Sequence, residues 1–484
     1  MSSQSVHPTN SARPSPGDPP GSTEPASGRS NGLLLLGLSL GYFMVMLDTT
    51  VVTVALPAIG EDLSGSLSGL QWVSNGYTLT FAALLLTAGA LSDRYGGRKV
   101  FLTGLWLFAV FSGVSAVAGS MGALIALRAL LGVAGALLLP TSLAIIAHAY
   151  TDPPARARAM GTWAAISGTA LAAGPLVGGV LTDVLGWQSI FLLNVPVALV
   201  SIAITMKHAP ASPPKPSKGV DLPGQVAAVL ALAGLTYALI ESQPEGWGSP
   251  QVLGGFAVFV VAGTLFLFAE RREETETHAP MLPMSMFRNR TLSAGLFAGL
   301  LVNFGLSGVL FILSLFFQEA HGYSAFTAGL AFLPLTLPTA FNPIFTGRLV
   351  GRIGARKPAI AGFLLMGAGV LIQSTATSDS TLSLVVMCVG LAILGFGVSF
   401  AIPPLMTAVV GSVAKEQSGI ASGALNSARQ TGAVLGVAVL GAVIGGATSV
   451  ASGTRVALVV AGVVLLAGAG VVAACIGRAA RTDV

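Results

Sequence analysis

GALSDRYGGRK (Gly89–Lys99) and GRLVGRIGARK (Gly347–Lys357) align without a gap and agree at six of eleven positions: Gly, Leu, Arg, Gly, Arg and Lys. Each copy is a short basic turn between two long apolar runs, so the repeat is one of topology as well as of residues. The first copy follows the second apolar run of the chain and the second copy follows the tenth. Two six-helix halves with an inserted helix pair between them account for that offset. Parallel halves related by an axis along the membrane normal are a recurring membrane architecture.

The surrounding composition supports a membrane setting. Of 484 residues, 53% are hydrophobic and only 9% are charged, against roughly 25% charged in a soluble domain. The mean hydropathy is +0.81. So few charges cannot cover a water-facing surface, which excludes a soluble enzyme, a secreted disulfide scaffold and a nucleic-acid binder. Sixty-one glycines with 7% aromatics suit close helix–helix packing in lipid better than a β-barrel with aromatic girdles. Cys388 and Cys475, the two cysteines, each lie inside an apolar run and define no disulfide framework. Residues 1–31 are rich in Ser and Pro and nearly free of apolar side chains. They read as a disordered cytoplasmic tail.

Apolar runs long enough to span about 30 Å of hydrocarbon at about 1.5 Å per residue recur through the rest. They are Leu33–Leu56, Leu70–Leu91, Val100–Gly119, Gly122–Ala147, Thr162–Val184, Ile190–Met206, Leu222–Ile240, Val252–Ala269, Leu292–Phe317, Thr327–Gly347, Ala359–Thr375, Leu382–Val410, Ile420–Gly446 and Val456–Ile476, fourteen in all. Cytoplasmic loops hold the excess of Lys and Arg. With the N-terminus inside, 21 of the 24 basic residues fall in inside segments, Arg455 alone falls outside, and Arg128 and Arg429 fall within spans. The expectation is an all-α integral membrane protein with fourteen transmembrane helices and both termini cytoplasmic. Its parts are the tail at 1–31, an N-terminal six-helix half at 32–206, a hairpin with flanking loops at 207–291, and a C-terminal half at 292–484.

Within the spans the costly residues stand out. Asp48, in LDTTVVTVALP (Leu47–Pro57), sits about 12 Å below the outer end of span 1. A carboxylate at that depth costs several kcal/mol unless it is protonated, paired or hydrated, so intramembrane acids mark functional sites by default. Arg128 lies about 9 Å inside the outer end of span 4, at similar depth. Pairing would relieve both charges, and a carboxylate poised between burial and a cation can load and release a proton as water access changes. The blander alternatives are an acid satisfied by threonines and backbone, and an ion pair that only locks two helices. In span 5, SGTALAAGPLVGGVL carries Gly168, Gly174, Pro175, Gly178 and Gly179, a kinked packing seam on physical grounds. Gly89, Asp93, Arg94, Gly96 and Arg98 form the first copy of the basic turn, and Gly347, Arg352 and Arg356 belong to the second. The positive-inside rule explains the basic residues but neither Asp93 nor the repeat, which favours a hinge-like clamp between the halves. Asn75, Tyr77, Asn303, Asn426 and Gln430 are expected to line a substrate cavity, although other polar residues such as Asn342, Gln373 and Arg429 are also in spans. No metal-ligand spacing occurs among the five histidines, and neither a Walker-type loop nor a Ser/His/Asp set is visible. No catalytic residue, metal or cofactor is expected.

These residues resemble the major facilitator superfamily, specifically its fourteen-helix drug:proton antiporters. LDTTVVTVALP is similar to that family's span-1 signature, which implies proton coupling at Asp48. GALSDRYGGRKV resembles the superfamily loop motif, implying that Asp93, Arg94 and Arg98 gate the cytoplasmic side, with Gly97 where a basic residue is usual. LRALLGVAGA (Leu127–Ala136) resembles the span-4 motif through Arg128 and Gly132, with Leu131 in place of the usual Gln. GPLVGG (Gly174–Gly179) resembles the antiporter motif of exporters. WQSIFLLNVP (Trp187–Pro196) and NSARQTGAVLG (Asn426–Gly436) are similar to the family's span-6 and span-13 segments. LTFAALLLTAGAL and FQEAHGYSAFTAGLAFLP resemble the methylenomycin-resistance-type exporters within it.

The resemblance implies a proton-coupled antiporter of the cytoplasmic membrane that exports small amphipathic toxic compounds, works as a monomer in the bilayer, and is driven by the proton gradient without a cofactor. A proton-coupled importer on the same fold and a membrane-integral enzyme are the rival readings. The Gly-Pro motif of span 5 speaks against the first, and the missing catalytic cluster against the second.

Overall fold

The computed structural model describes residues 26–210, 221–271, 281–376 and 380–477. Among the described residues there is no strand. Seventeen α-helices follow one another. The first seven are α1 (Ala26–Asp62), α2 (Leu67–Tyr95), α3 (Gly97–Ser115), α4 (Met121–Ala149), α5 (Pro153–Leu185), α6 (Gln188–Leu192) and α7 (Asn194–His208). A hairpin of α8 (Leu222–Glu241) and α9 (Pro250–Glu270) comes next. The rest are α10 (Arg290–Leu315), α11 (Ala325–Ala331), α12 (Leu333–Phe341), α13 (Pro343–Ile353), α14 (Arg356–Ser374), α15 (Thr381–Val410), α16 (Ser418–Gly445) and α17 (Val450–Cys475). The expected tail falls outside the described residues as far as 25, and its last part, 26–31, is already helical as the start of α1.

Twelve helical segments among the described residues are long and apolar enough to cross a membrane. The chain is a multi-pass helical membrane protein. Two of the fourteen expected spans are not among the twelve. The second forms one unbroken helix of 29 residues, α2, but Gln71, Ser74, Asn75, Thr78 and Thr80 dilute its apolarity. The tenth is broken at Phe332 and Asn342 into α11, α12 and α13, none of them long enough alone. Pro334, Pro338 and Pro343 explain the breaks, because proline removes a backbone donor and clashes with the preceding turn. Span 6 is likewise interrupted at Leu193, between α6 and α7.

Helix starts are sealed locally. Ser66, Ser120, Asp152, Ser249 and Ser324 each accept a backbone N–H three residues on, which satisfies donors that neither lipid nor helix would. The packing then groups the helices. In the first part α1 lies on α5 and α7, and α4 lies on α2 and α3; in the last part α10 lies on α16 and α17, and α14 on α15 and α17. The two groups meet along two seams, α2 against α16 and α5 against α11 and α12. The α8–α9 hairpin rests on α2 and α16, beside the first seam. Exposed Val258, Val260, Val261, Leu265 and Phe268 cover the outer side of α9, as a lipid-facing helix requires.

The seams are tied by polar groups that donate to backbone. Gln71 Nε2 reaches the Val437 and Ala438 carbonyls at 2.9 and 3.1 Å, Asn75 Nδ2 reaches Val434 O at 3.2 Å, and Ser427 Oγ reaches Ala82 O at 2.8 Å. On the other seam Asp183 accepts the free N–H groups of Ala325 and Phe326 at 3.1 and 2.9 Å, at the start of α11. Ser314 Oγ donates to Thr53 O at 2.7 Å and Gln318 Nε2 to Val54 O at 3.0 Å, joining α10 to α1. These last contacts lie at the end of the bundle away from the start of α1.

Candidate coupling site and central cavity

Asp48 and Arg128 meet. Arg128 Nη1 donates to Asp48 Oδ2, and both side chains are buried. It is the only ion pair among the described residues. Arg128 Nε donates to Val73 O at 3.1 Å, and its guanidinium lies 4.6 Å from the Tyr77 ring centroid and 5.9 Å from that of Phe191. Gly132 makes this approach feasible, because a Cβ there would collide with the Tyr77 carbonyl and the Thr80 hydroxyl. The second carboxylate oxygen, Asp48 Oδ1, accepts from Asn194 Nδ2 at 3.1 Å. Asn194 Nδ2 also donates to Ser112 Oγ at 3.0 Å, and Ser112 Oγ donates to Phe191 O at 2.9 Å. Four helices, α1, α3, α4 and α7, therefore supply one closed polar network. A buried ion pair is sustainable when its remaining lone pairs and protons find partners.

Sequence reasoning missed Asn194 and Ser112. Asn194 stands within WQSIFLLNVP and opens α7 at the break after Leu193. A polar side chain at an interruption in a span was the available signal. Tyr77 belongs to this network too, its hydroxyl donating to Val45 O at 3.2 Å, and Asn75 belongs to the α2–α16 seam. Neither is among the residues that line the central cavity. Asn426 is also absent from that lining and donates to its own helix at Ser422 O, 3.1 Å away.

The central cavity lies between the two helix groups and holds about 900 Å³ of space, its open mouth included. Asn303 and Gln430 line it, as do Thr49 and Thr50, the two residues that follow Asp48. Pro175 and Leu171 of the span-5 motif contribute from α5. The motif's glycines do different jobs. A Cβ on Gly174 would strike the Thr50 side chain, and one on Gly178 would lie 2.7 Å from Val51 O, so both seat α5 on α1. A Cβ on Gly179 would strike Ala325 O, and one on Gly329 would strike Pro175 O, so that pair seats α5 on α11. Gly168 has open space around it.

The two basic turns are alike in three dimensions. Gly96 and Gly354, aligned in the repeat, both take a positive φ, 91° and 77°, which only glycine adopts freely. Arg98 Nη2 donates to Met206 O at 2.6 Å, at the end of α7, and its counterpart Arg356 donates to Ala473 O, near the end of α17. Each arginine therefore clamps helices of its own group. Asp93, Arg94 and Arg352 are exposed and, among the described residues, make no hydrogen bond or ion pair to the other group, so no described contact of these side chains joins the halves. A Cβ on Gly89 or Gly347 would meet nothing within 4 Å. Gly97 is buried, and a Cβ there would come within 3.3 Å of the Ile145 and Ser92 side chains, so a larger side chain would have to displace them.

A two-group helical bundle with a cavity at its middle and a buried acid beside it is the architecture of a membrane transporter. The sequence matches the Major Facilitator Superfamily over residues 38–437, and the chain belongs to that family. It is 37% identical over 432 residues to the methylenomycin A resistance protein of Bacillus subtilis (strain 168), covering 88% of this chain and 90% of the other. It is 36% identical over 413 residues to the tetracenomycin C resistance and export protein of Streptomyces glaucescens, covering 84% and 74%. The crystal structure of a D-xylose-proton symporter superposes with a TM-score of 0.67 at 15% identity, over 92% of this chain and 98% of that one, and shares the fold.

Proposed function

We propose that this chain is a proton-coupled antiporter that exports small amphipathic toxic compounds across the cytoplasmic membrane. It has fourteen spans, counting α2 and the broken α11–α13 unit, with both termini cytoplasmic. It works as a monomer, without cofactor or catalytic chemistry. Resistance and export proteins among its relatives support the direction of transport. The observation that carries the coupling is the Asp48–Arg128–Asn194 network one residue away from the cavity wall at Thr49.

In this reading the outer end is closed by Asp183, Ser314 and Gln318, and the cavity serves the inner side. Substrate bound against Thr50, Asn303 and Gln430 and a proton on Asp48 favour opposite-facing states. A ligand moves that equilibrium only through its differential affinity, and the membrane potential adds about 2.3 kcal/mol per charge per 100 mV. Asp93, Arg94 and Arg352 are free to engage the other half when the inner side closes.

The test is substrate-induced proton release in inverted vesicles, with compounds first identified from a susceptibility panel. Asp48→Asn keeps the side-chain volume and a hydrogen bond but cannot cycle a proton, so release is abolished at unchanged protein level. Wild-type release from that variant would move the coupling site elsewhere. Energised uptake of a single metabolite would replace export with import.

A further inference from the structure

The residues lining the central cavity include one charged side chain, Arg429, and no acidic one. Among the described residues, the only hydrogen bond of Arg429 runs from Nε to Asn303 Oδ1 at 3.4 Å, a single long contact to a neutral acceptor. Neither terminal amino group donates to another described residue. A guanidinium stays charged under all biological conditions, and one inside a membrane protein requires a compensating partner. The contrast with Arg128 is direct. That cation has its carboxylate, a backbone carbonyl and an aromatic face, and it is closed off from the cavity.

Because Asp48 and Arg128 neutralise each other, the cavity wall carries a formal charge of +1 at Arg429. The Gln430 amide lies in the same wall beside Thr336 and Thr339, whose hydroxyls donate to backbone carbonyls of their own helix, and Met46, Leu171, Leu306, Leu310 and Leu335 make the remainder apolar. We propose that the exported compounds are organic acids: amphipathic molecules whose carboxylate, or an equivalent anionic oxygen pair, is held by the two Nη groups of Arg429 while the apolar body lies against those leucines. Bidentate pairing of carboxylate with guanidinium suits this planar fork. The inference names a substrate class for the cavity assigned above and rests on that reading. It also gives Asn303 a positioning role, since its carbonyl oxygen fixes the fork by the one nitrogen the ligand does not need.

The test is equilibrium dialysis of the purified full chain with naphthalene-1-acetate and biphenyl-4-acetate, each beside its primary amide, in chloride and in gluconate buffer. A charge-assisted hydrogen bond contributes about 1.5–3 kcal/mol, so each acid should bind about tenfold or more tighter than its amide. Arg429→Gln should erase that preference while leaving the amides unchanged, and Arg429→Lys should restore part of it. Acids that bind no tighter than amides, including acids that do not bind, overturn the proposal. So does a preference indifferent to Arg429→Gln. A preference seen only without chloride reassigns Arg429 to an inorganic anion and overturns the organic-acid assignment. Proton release reads the exporter function separately. Release driven by neutral or cationic compounds, with no acid preference, removes this inference alone. Acid preference with no proton release by any compound removes the coupling and leaves the anion site.

Discussion

Asp48 has both carboxylate oxygens engaged, one by a cation and one by an amide, and this makes its two partners separable by mutation. Arg128→Ala strands a buried carboxylate. Removing one partner of a buried pair costs about 3–5 kcal/mol, so stability falls and transport fails. The Arg128→Ala, Asp48→Asn double variant should be more stable than Arg128→Ala alone and no worse in proton release than Asp48→Asn, because residues in one network do not add. Thermal unfolding in detergent beside vesicle proton release reads both halves of that statement. An additive double variant would show that the two side chains act independently. Asn194→Ala is the milder case. It leaves the ion pair and removes one donor to a charged acceptor, costing about 1.5–3 kcal/mol. A lowered unfolding temperature with Asp48→Asn absent, and no lowering in its presence, would place that cost on the Asp48 contact; equal lowering in both backgrounds would assign Asn194 to Ser112 alone.

The helices owe their arrangement to small residues used one at a time. α5 carries four glycines in its motif, of which Gly174 and Gly178 hold α1, Gly179 holds α11, and a Cβ on Gly168 would meet nothing within 4 Å. Gly168→Ala should therefore be tolerated, and even mildly favourable for the helix by about 0.5–1 kcal/mol. Gly179→Val should wedge α5 from Ala325 and Phe326 at a cost of about 1–3 kcal/mol, directed against the closed outer end. An impermeant thiol reagent added outside should then label a cysteine at Thr53, in the cavity wall, severalfold faster than in the Gly179 parent. Equal rates would mean that the α5–α11 contact does not control access. The same logic explains why the span-5 motif is a seam and not a ligand site: two of its glycines pack within a half and one packs between halves.

Taken whole, the described residues form two helix groups joined at seams that use side-chain donors on backbone carbonyls, with a hairpin laid beside one seam. The topology makes a simple prediction. A single cysteine at Glu245, in the α8–α9 loop, should react with impermeant thiol reagents from outside the cell, and one at Lys415, between α15 and α16, should not. The reverse pattern would sink both the orientation and the count of fourteen. Trp72 of α2 donates to Glu241 at the end of α8, 2.8 Å away, which puts the Glu245 loop at the same end as the start of α2 and offers an internal control.

Much of this was legible in the chain itself. Span lengths, the repeat at Gly89 and Gly347, the depth of Asp48 and Arg128, and the family motifs are properties of local composition and order, and lipid imposes them directly: an apolar run must be about 20 residues long to cross, and a charge within one must be answered. Which way each helix faces is different. A helix that is apolar all round carries no stripe to mark its buried side, and lipid rewards packing no more than it rewards exposure. Rotation about each axis was therefore invisible in the sequence. That is why Asn75 and Tyr77, expected in the cavity, lie in a seam and beside the ion pair, why Asn194 and Ser112 went unnoticed, and why Arg429 became the cavity's charge only once α16 had been docked against α2 and α10.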